Sequence, residues 1–168
     1  MSTHAHELRT AFDAEFAAAL PSPESGRCDV LCIQVAGEPY AVRLGDVASL
    51  HAGLRVVALP ARAPELLGVA AIRAAVVPIY NLAVVLGMSG AAAQRWAVVH
   101  RAGTAGFAFE RYDGHVRIAE TAISAASRSG PIAGQLVVAG QPRLVIDLDS
   151  VVEANEKRWN QHRPAKDK

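Results

Sequence analysis

Residues Leu66 to Gly87 form the most apolar stretch of the chain, and any fold the sequence adopts has to house it. It reads Leu-Leu-Gly-Val-Ala-Ala-Ile-Arg-Ala-Ala-Val-Val-Pro-Ile-Tyr-Asn-Leu-Ala-Val-Val-Leu-Gly, and Arg73 is its only charge. As one helix it would be roughly 33 Å long, enough to cross a bilayer. Arg73 would then lie near mid-membrane, where a charge costs about 3 kcal/mol. Pro78 would break the helix interior, and Asn81 would add a second polar group. Val69, Ile72, Val76, Val77 and Ile79 are β-branched and suit a sheet. The stretch therefore predicts a buried β-hairpin turning near Arg73 to Ala75.

An internal repeat supports this. Gly134 to Leu148 has the same layout, with Gly134 matching Gly68 and Asp147-Leu148 matching Asn81-Leu82, both at an offset of 66. Ala102-Gly103 matches Ala36-Gly37 at the same offset, so the chain reads as a duplication. The second copy carries Gln135, Gln141, Arg143 and Asp147, which excludes a membrane span there and, by homology of the copies, in the first.

At 168 residues the chain can bury a sizeable core within one domain. Seventeen Lys and Arg against sixteen Asp and Glu give no electrostatic pull toward nucleic acid or anionic lipid. Cys28 and Cys32 make neither a disulfide framework nor a zinc site; four apart on a strand, they read as two small core residues. No basic start followed by an apolar core marks a signal peptide, and a reducing cytoplasm is expected.

His4 to Leu20 reads as a helix with a Leu8, Phe12, Phe16, Leu20 stripe, stopped by Pro21 and Pro23. Strands are expected over Cys28 to Val35, Tyr40 to Leu44 and Leu54 to Leu59, with a helical turn over Gly45 to Leu50. After the central hairpin, Leu82 to Leu86 reads as a short helix. The second copy continues with strands over Ala97 to Arg101 and Phe107 to Tyr112, a turn at Asp113-Gly114, and a further strand over His115 to Ala119. A loop with a brief helix follows over Thr121 to Gly130, then a hairpin over Ile132 to Ile146 turning at Gly140. Ser150 and Glu153 have capping-box spacing and start a last helix running to about Trp159. About ten short strands with frequent Gly and Pro argue for barrels or sandwiches.

No phosphate loop, zinc motif or nucleophile elbow occurs, so no catalytic residue, cofactor or metal site is assigned. His4 and His6 lack converging ligands. Asp147 and Asp149 sit before a helix start, where negative charge favours the dipole, and need no catalytic role. Small barrels can bind nucleic acid, but only 5% of the residues are aromatic and no strand interleaves them with Arg or Lys.

The segment Gly68 to Leu82, with Arg73, Pro78 and Asn81, followed by Leu86-Gly87, resembles the signature of CheW-like domains, the bacterial chemotaxis coupling proteins. Cys32 to Val42 followed by Asp46-Val47 is similar to that family's first hairpin, and Gly106 to Gly114 and Leu144 to Leu148 to its later segments. The resemblance implies a mainly β fold of two five-stranded SH3-like barrels related by duplication, with short N- and C-terminal helices. Residues 1–27 would be helix and linker, 28–152 the CheW-like domain, and 153–168 the final helix and tail. It implies an adaptor rather than an enzyme, binding the regulatory domain of a CheA-type histidine kinase and the cytoplasmic tip of chemoreceptors. The alternatives are an auxiliary adaptor of a pilus-motility pathway and, less favoured, a small nucleic-acid binder. The positions matching the receptor-facing groove are Val47 and Arg73, with Leu50 and Ile72 as neighbours. The family's Asn-Leu-Arg-Gly is Ala71-Ile72-Arg73-Ala74 here, so a changed turn is expected where the glycine is lost. Asn81 stands for a usual Asp, and Ser49 for a usual acidic residue.

Overall fold

A computed structural model describes residues 26–60, 63–89, 93–126 and 130–162, with the side chains of 159–162 not described. The expected helix over His4 to Leu20 lies outside the described residues. The described residues form eleven strands: β1 (Arg27–Val35), β2 (Glu38–Arg43), β3 (Val47–Ala52), β4 (Leu66–Ile72), β5 (Ala75–Asn81), β6 (Trp96–His100), β7 (Gly106–Phe109), β8 (Arg111–Ala119), β9 (Ser124–Ala125), β10 (Ile132–Val138) and β11 (Gln141–Ile146). Two helices follow the central hairpins, α1 (Leu82–Val85) and α2 (Leu148–His162).

The strands form two sheets, ordered β8-β1-β2-β11-β10-β9 and β3-β6-β7-β5-β4. Shifted by 66 residues, the first five strands of the first order become the second order, and β9 falls at residues 58–59, beside the Val57 bridge, so the duplication is realised in the fold. The copies are interleaved: each sheet draws strands from both, joined by parallel pairs between β2 and β11 and between β5 and β7. The sheets remain open rather than closing into barrels. The expected strand over Leu54 to Leu59 contributes only a bridge between Val57 and Val69, with both backbone hydrogen bonds made.

Burial follows this layout. A central cluster between the sheets takes Leu31, Ile33 and Val35 from β1, Phe107 and Phe109 from β7, and Leu148, Val151 and Val152 from α2. Each sheet packs its other face on a smaller cluster: Ala70, Ile72, Val77 and Ile79 in one, Val30, Ala41, Leu136 and Val145 in the other. Because both faces of β1 are covered, residues 30–33 are all buried, including Cys32. Cys28 is half-buried and both cysteines are free thiols.

The helix starts repeat as well. Asn81 Oδ1 accepts from the backbone N–H groups of Ala83 (3.0 Å) and Val84 (3.5 Å). Sixty-six residues later Asp147 accepts from the N–H of Ser150 (3.1 Å) and from its hydroxyl (2.8 Å). Asn and Asp serve equally as caps, so Asn81 costs the fold nothing. Asp147 caps α2, and the expected start at Ser150 moves to Leu148.

Two further expectations are corrected. The helical turn over Gly45 to Leu50 is a single 3₁₀ turn at Leu44–Asp46, and Val47 onward is strand. Asp113-Gly114 makes no turn: β8 runs through it with a bulge against Cys32 and Ile33. Gly114, at φ 148°, supplies backbone freedom beside the bulge. The loop over Thr121 to Gly130 contains a 3₁₀ turn (Glu120–Ala122) and the two-residue β9, which pairs with β10.

Candidate docking site

The β4–β5 hairpin carries the most exposed apolar surface of the second sheet. Cross-strand pairs Val69–Pro78 and Ala71–Val76 share one face, and Val57 joins it through its bridge to Val69. Val76 is 72% and Val57 60% exposed. The opposite face holds Ala70, Ile72, Val77 and Ile79 in the core. A sheet face turned to solvent usually alternates to polar residues, so an all-apolar one is a candidate contact surface.

The hairpin closes through Arg73 (φ 48°) and Ala74 (φ 64°). Positive φ at both central residues is the two-residue turn whose twist matches a hairpin. The loss of glycine therefore leaves the turn in place, and the register of six cross-strand pairs over-determines it. The equivalent turn 66 residues on, Ala139 (φ 50°) and Gly140 (φ 78°), has the same form with glycine second.

Arg73 is exposed at the tip. The internal carboxylates that could have neutralised it are otherwise engaged: Asp46 lies 3.5 Å from Arg101, and Asp147 caps α2. Ile72 is 6% exposed and packs beneath the turn. Val47 and Leu50 are half-buried against the central cluster. Three apart, they would face opposite sides of a regular strand; the register shift between Val47 and Ser49 accounts for their common packing. Ser49 bonds His51 Nε2 at 2.8 Å. In strand order β3 and β4 are the two edges of their sheet, so Val47 and Leu50 form one group and Ile72 and Arg73 another.

Two polar clusters escaped the sequence reading. The buried His100 bonds Asp149 through Nε2 (2.7 Å), and Arg101 pairs with the same carboxylate. Burial, reinforced by the Asp149 charge, pushes the Asp46 carboxyl above its ordinary range despite Arg101. In the other sheet the Arg143 side chain is only 7% exposed. It donates to the carbonyls of Ile33 and Tyr40 (both 3.2 Å) and to Asp113 (2.9 Å). Burial raises the Asp113 carboxyl, but the bonds from Arg143 and Arg111 outweigh it and hold it below the usual range. The bulge that replaced the expected turn brings Asp113 to Arg143, and no local pattern signals that pairing.

Among the described residues no group of three or more His, Cys, Asp or Glu is placed to hold a metal, and no helix is long and apolar enough to cross a membrane.

The family model of the CheW-like domain matches residues 29–156. The fold is similar to the crystal structure of scaffolding protein TtCheW from Thermoanaerobacter tengcongensis, with a TM-score of 0.65 and 15% identity over 71% of this chain and 88% of that one. No curated protein matches the sequence.

Proposed function

The chain belongs to the CheW-like domain family, and on that premise we propose that it is a non-catalytic adaptor of a bacterial chemosensory array, working in the cytoplasm without a cofactor. It couples the cytoplasmic tip of chemoreceptors to the regulatory domain of a CheA-type histidine kinase. Family membership supports the scaffold role in chemotaxis signalling. The observation that carries the receptor contact is Arg73, an exposed cation with no partner among the described residues, at the tip of an apolar hairpin. In this reading Arg73 touches the receptor. Ile72 packs under the turn and positions it, and Val47 and Leu50 supply the apolar wall at the other sheet edge. A kinase interface of standard size would bury about 1,600 Å² in total.

The test is Arg73→Glu in a reconstituted system of adaptor, cognate kinase and receptor. The variant should melt within a few degrees of the parent, because substitutions at exposed sites usually cost about 0.5 kcal/mol or less. It should still bind kinase but lose receptor-dependent control of it. Full control with unchanged receptor affinity would refute the assignment. Salt-dependent binding of an oligonucleotide would favour the nucleic-acid reading instead.

A further inference from the structure

The two halves are covered unequally. α2 runs for fifteen residues and buries Val151, Val152 and Asn155. α1, its counterpart 66 residues earlier, stops after four residues. An open groove of about 510 Å³ lies between β9, β10 and β11. Ala122, Ala125, Ile132, Gly134, Val137 and Leu144 line it, and none of its described lining residues is charged. Val137 is 62% and Leu144 40% exposed.

The chain enters beside this groove. The Gly26 carbonyl accepts from the Glu120 N–H at 2.6 Å, and Ala122, two residues on, is groove wall. Ahead of Gly26 lie residues 1–25, outside the described residues, which carry Leu8, Phe12, Phe16 and Leu20 at a spacing of four. We propose that the groove is the docking site of this N-terminal segment. The five residues from Pro21 to Ser25 can reach about 17 Å from Gly26. If helical, the stripe from Leu8 to Leu20 is about 18 Å long. Small residues at Ala122 and Ala125 let aromatic rings approach the sheet closely, and the segment holds two of the four Phe of the protein. The uncharged lining suits the apolar residues of the stripe.

Hydrogen exchange read by mass spectrometry on the full chain tests this. Amides of residues 8–20 should exchange at least about tenfold more slowly than in a synthetic peptide of residues 1–25, as docked segments do. Val137→Asp in the groove and Phe16→Asp in the segment should each return them to the peptide rate. Phe16→Asp lies outside the described residues and supplies a second test if Val137→Asp impairs folding. Peptide-like exchange in the parent chain would overturn the proposal. So would protection that survives both substitutions, or protection that fades on dilution, which would place the segment on a second copy.

Discussion

Replacing Ala74 by glycine should stabilise the protein. Ala74 sits at φ 64°, a conformation that costs an L-residue roughly 1–2 kcal/mol and glycine almost nothing. Glycine gives back about 0.5–1 kcal/mol because its unfolded chain is freer. The difference leaves a net gain of about 0.5–1 kcal/mol, or about 1–4 °C in Tm for a chain of this size. The second copy supplies the mirror experiment. Gly140 holds the same turn position at φ 78°, and a Cβ built there meets nothing within 4 Å. Gly140→Ala therefore isolates the backbone term and should lose a similar amount. Urea unfolding followed by far-UV circular dichroism reads both, with the midpoints moving in opposite directions at constant m-value. A lowered midpoint for Ala74→Gly, or no response from Gly140→Ala, would refute the left-handed assignment of these turns.

Gly68→Ala should cost about 2–4 kcal/mol, since a Cβ there runs into the Val57 carbonyl at a φ of 145°; Gly134→Ala meets the Ser124 carbonyl in the same way, and thermal melts would read both. Asp113→Asn should cost on the order of 3 kcal/mol at neutral pH by leaving Arg143 buried without its charge partner. Because the folded Asp113 pKa is depressed, its stabilisation is present above the unfolded value near 4 and is lost as pH falls through the folded one; the variant should accordingly show a flatter acid limb in unfolding curves. Asp46 has the opposite sign: its raised carboxyl destabilises the charged form, so the penalty sets in as pH rises from about 4, and Asp46→Asn should lose less stability than the parent between that pH and neutrality.

Much of the fold was legible where a pattern is local. Pro78, Arg73 and the β-branched run ruled out a helix because each acts through its own backbone or charge. The 66-residue offset carried over into bulges, turns and caps because these need particular residues at fixed positions. What failed needed knowledge of the partner strand. Asp113-Gly114 has turn chemistry, yet β1 pairs along both sides of it and converts the extra residue into a bulge. Leu54 to Leu59 has strand composition, but only Val57 finds a partner. Of the candidate site residues, Arg73 was legible as a cation with no place in an apolar hairpin. Val47 and Leu50 were not legible as a pair, because their common side depends on a bulge that the sequence does not mark.

The interleaving explains how the two copies could diverge in chemistry while keeping one topology. Arg143 corresponds to Val77 by the offset, and both are buried at the same place in their sheets. Val77 packs among Ala70, Ile72 and Ile79. Arg143 meets instead the two carbonyls and the carboxylate gathered by β1, β2 and β8. A buried guanidinium is tolerable only where such acceptors surround it. Three strands beyond β11 supply them, two from the first copy and one from the second, so neither copy contains the site on its own. The parallel pairs of β2 with β11 and of β5 with β7 thus join the halves, so that a substitution in one copy meets residues of the other.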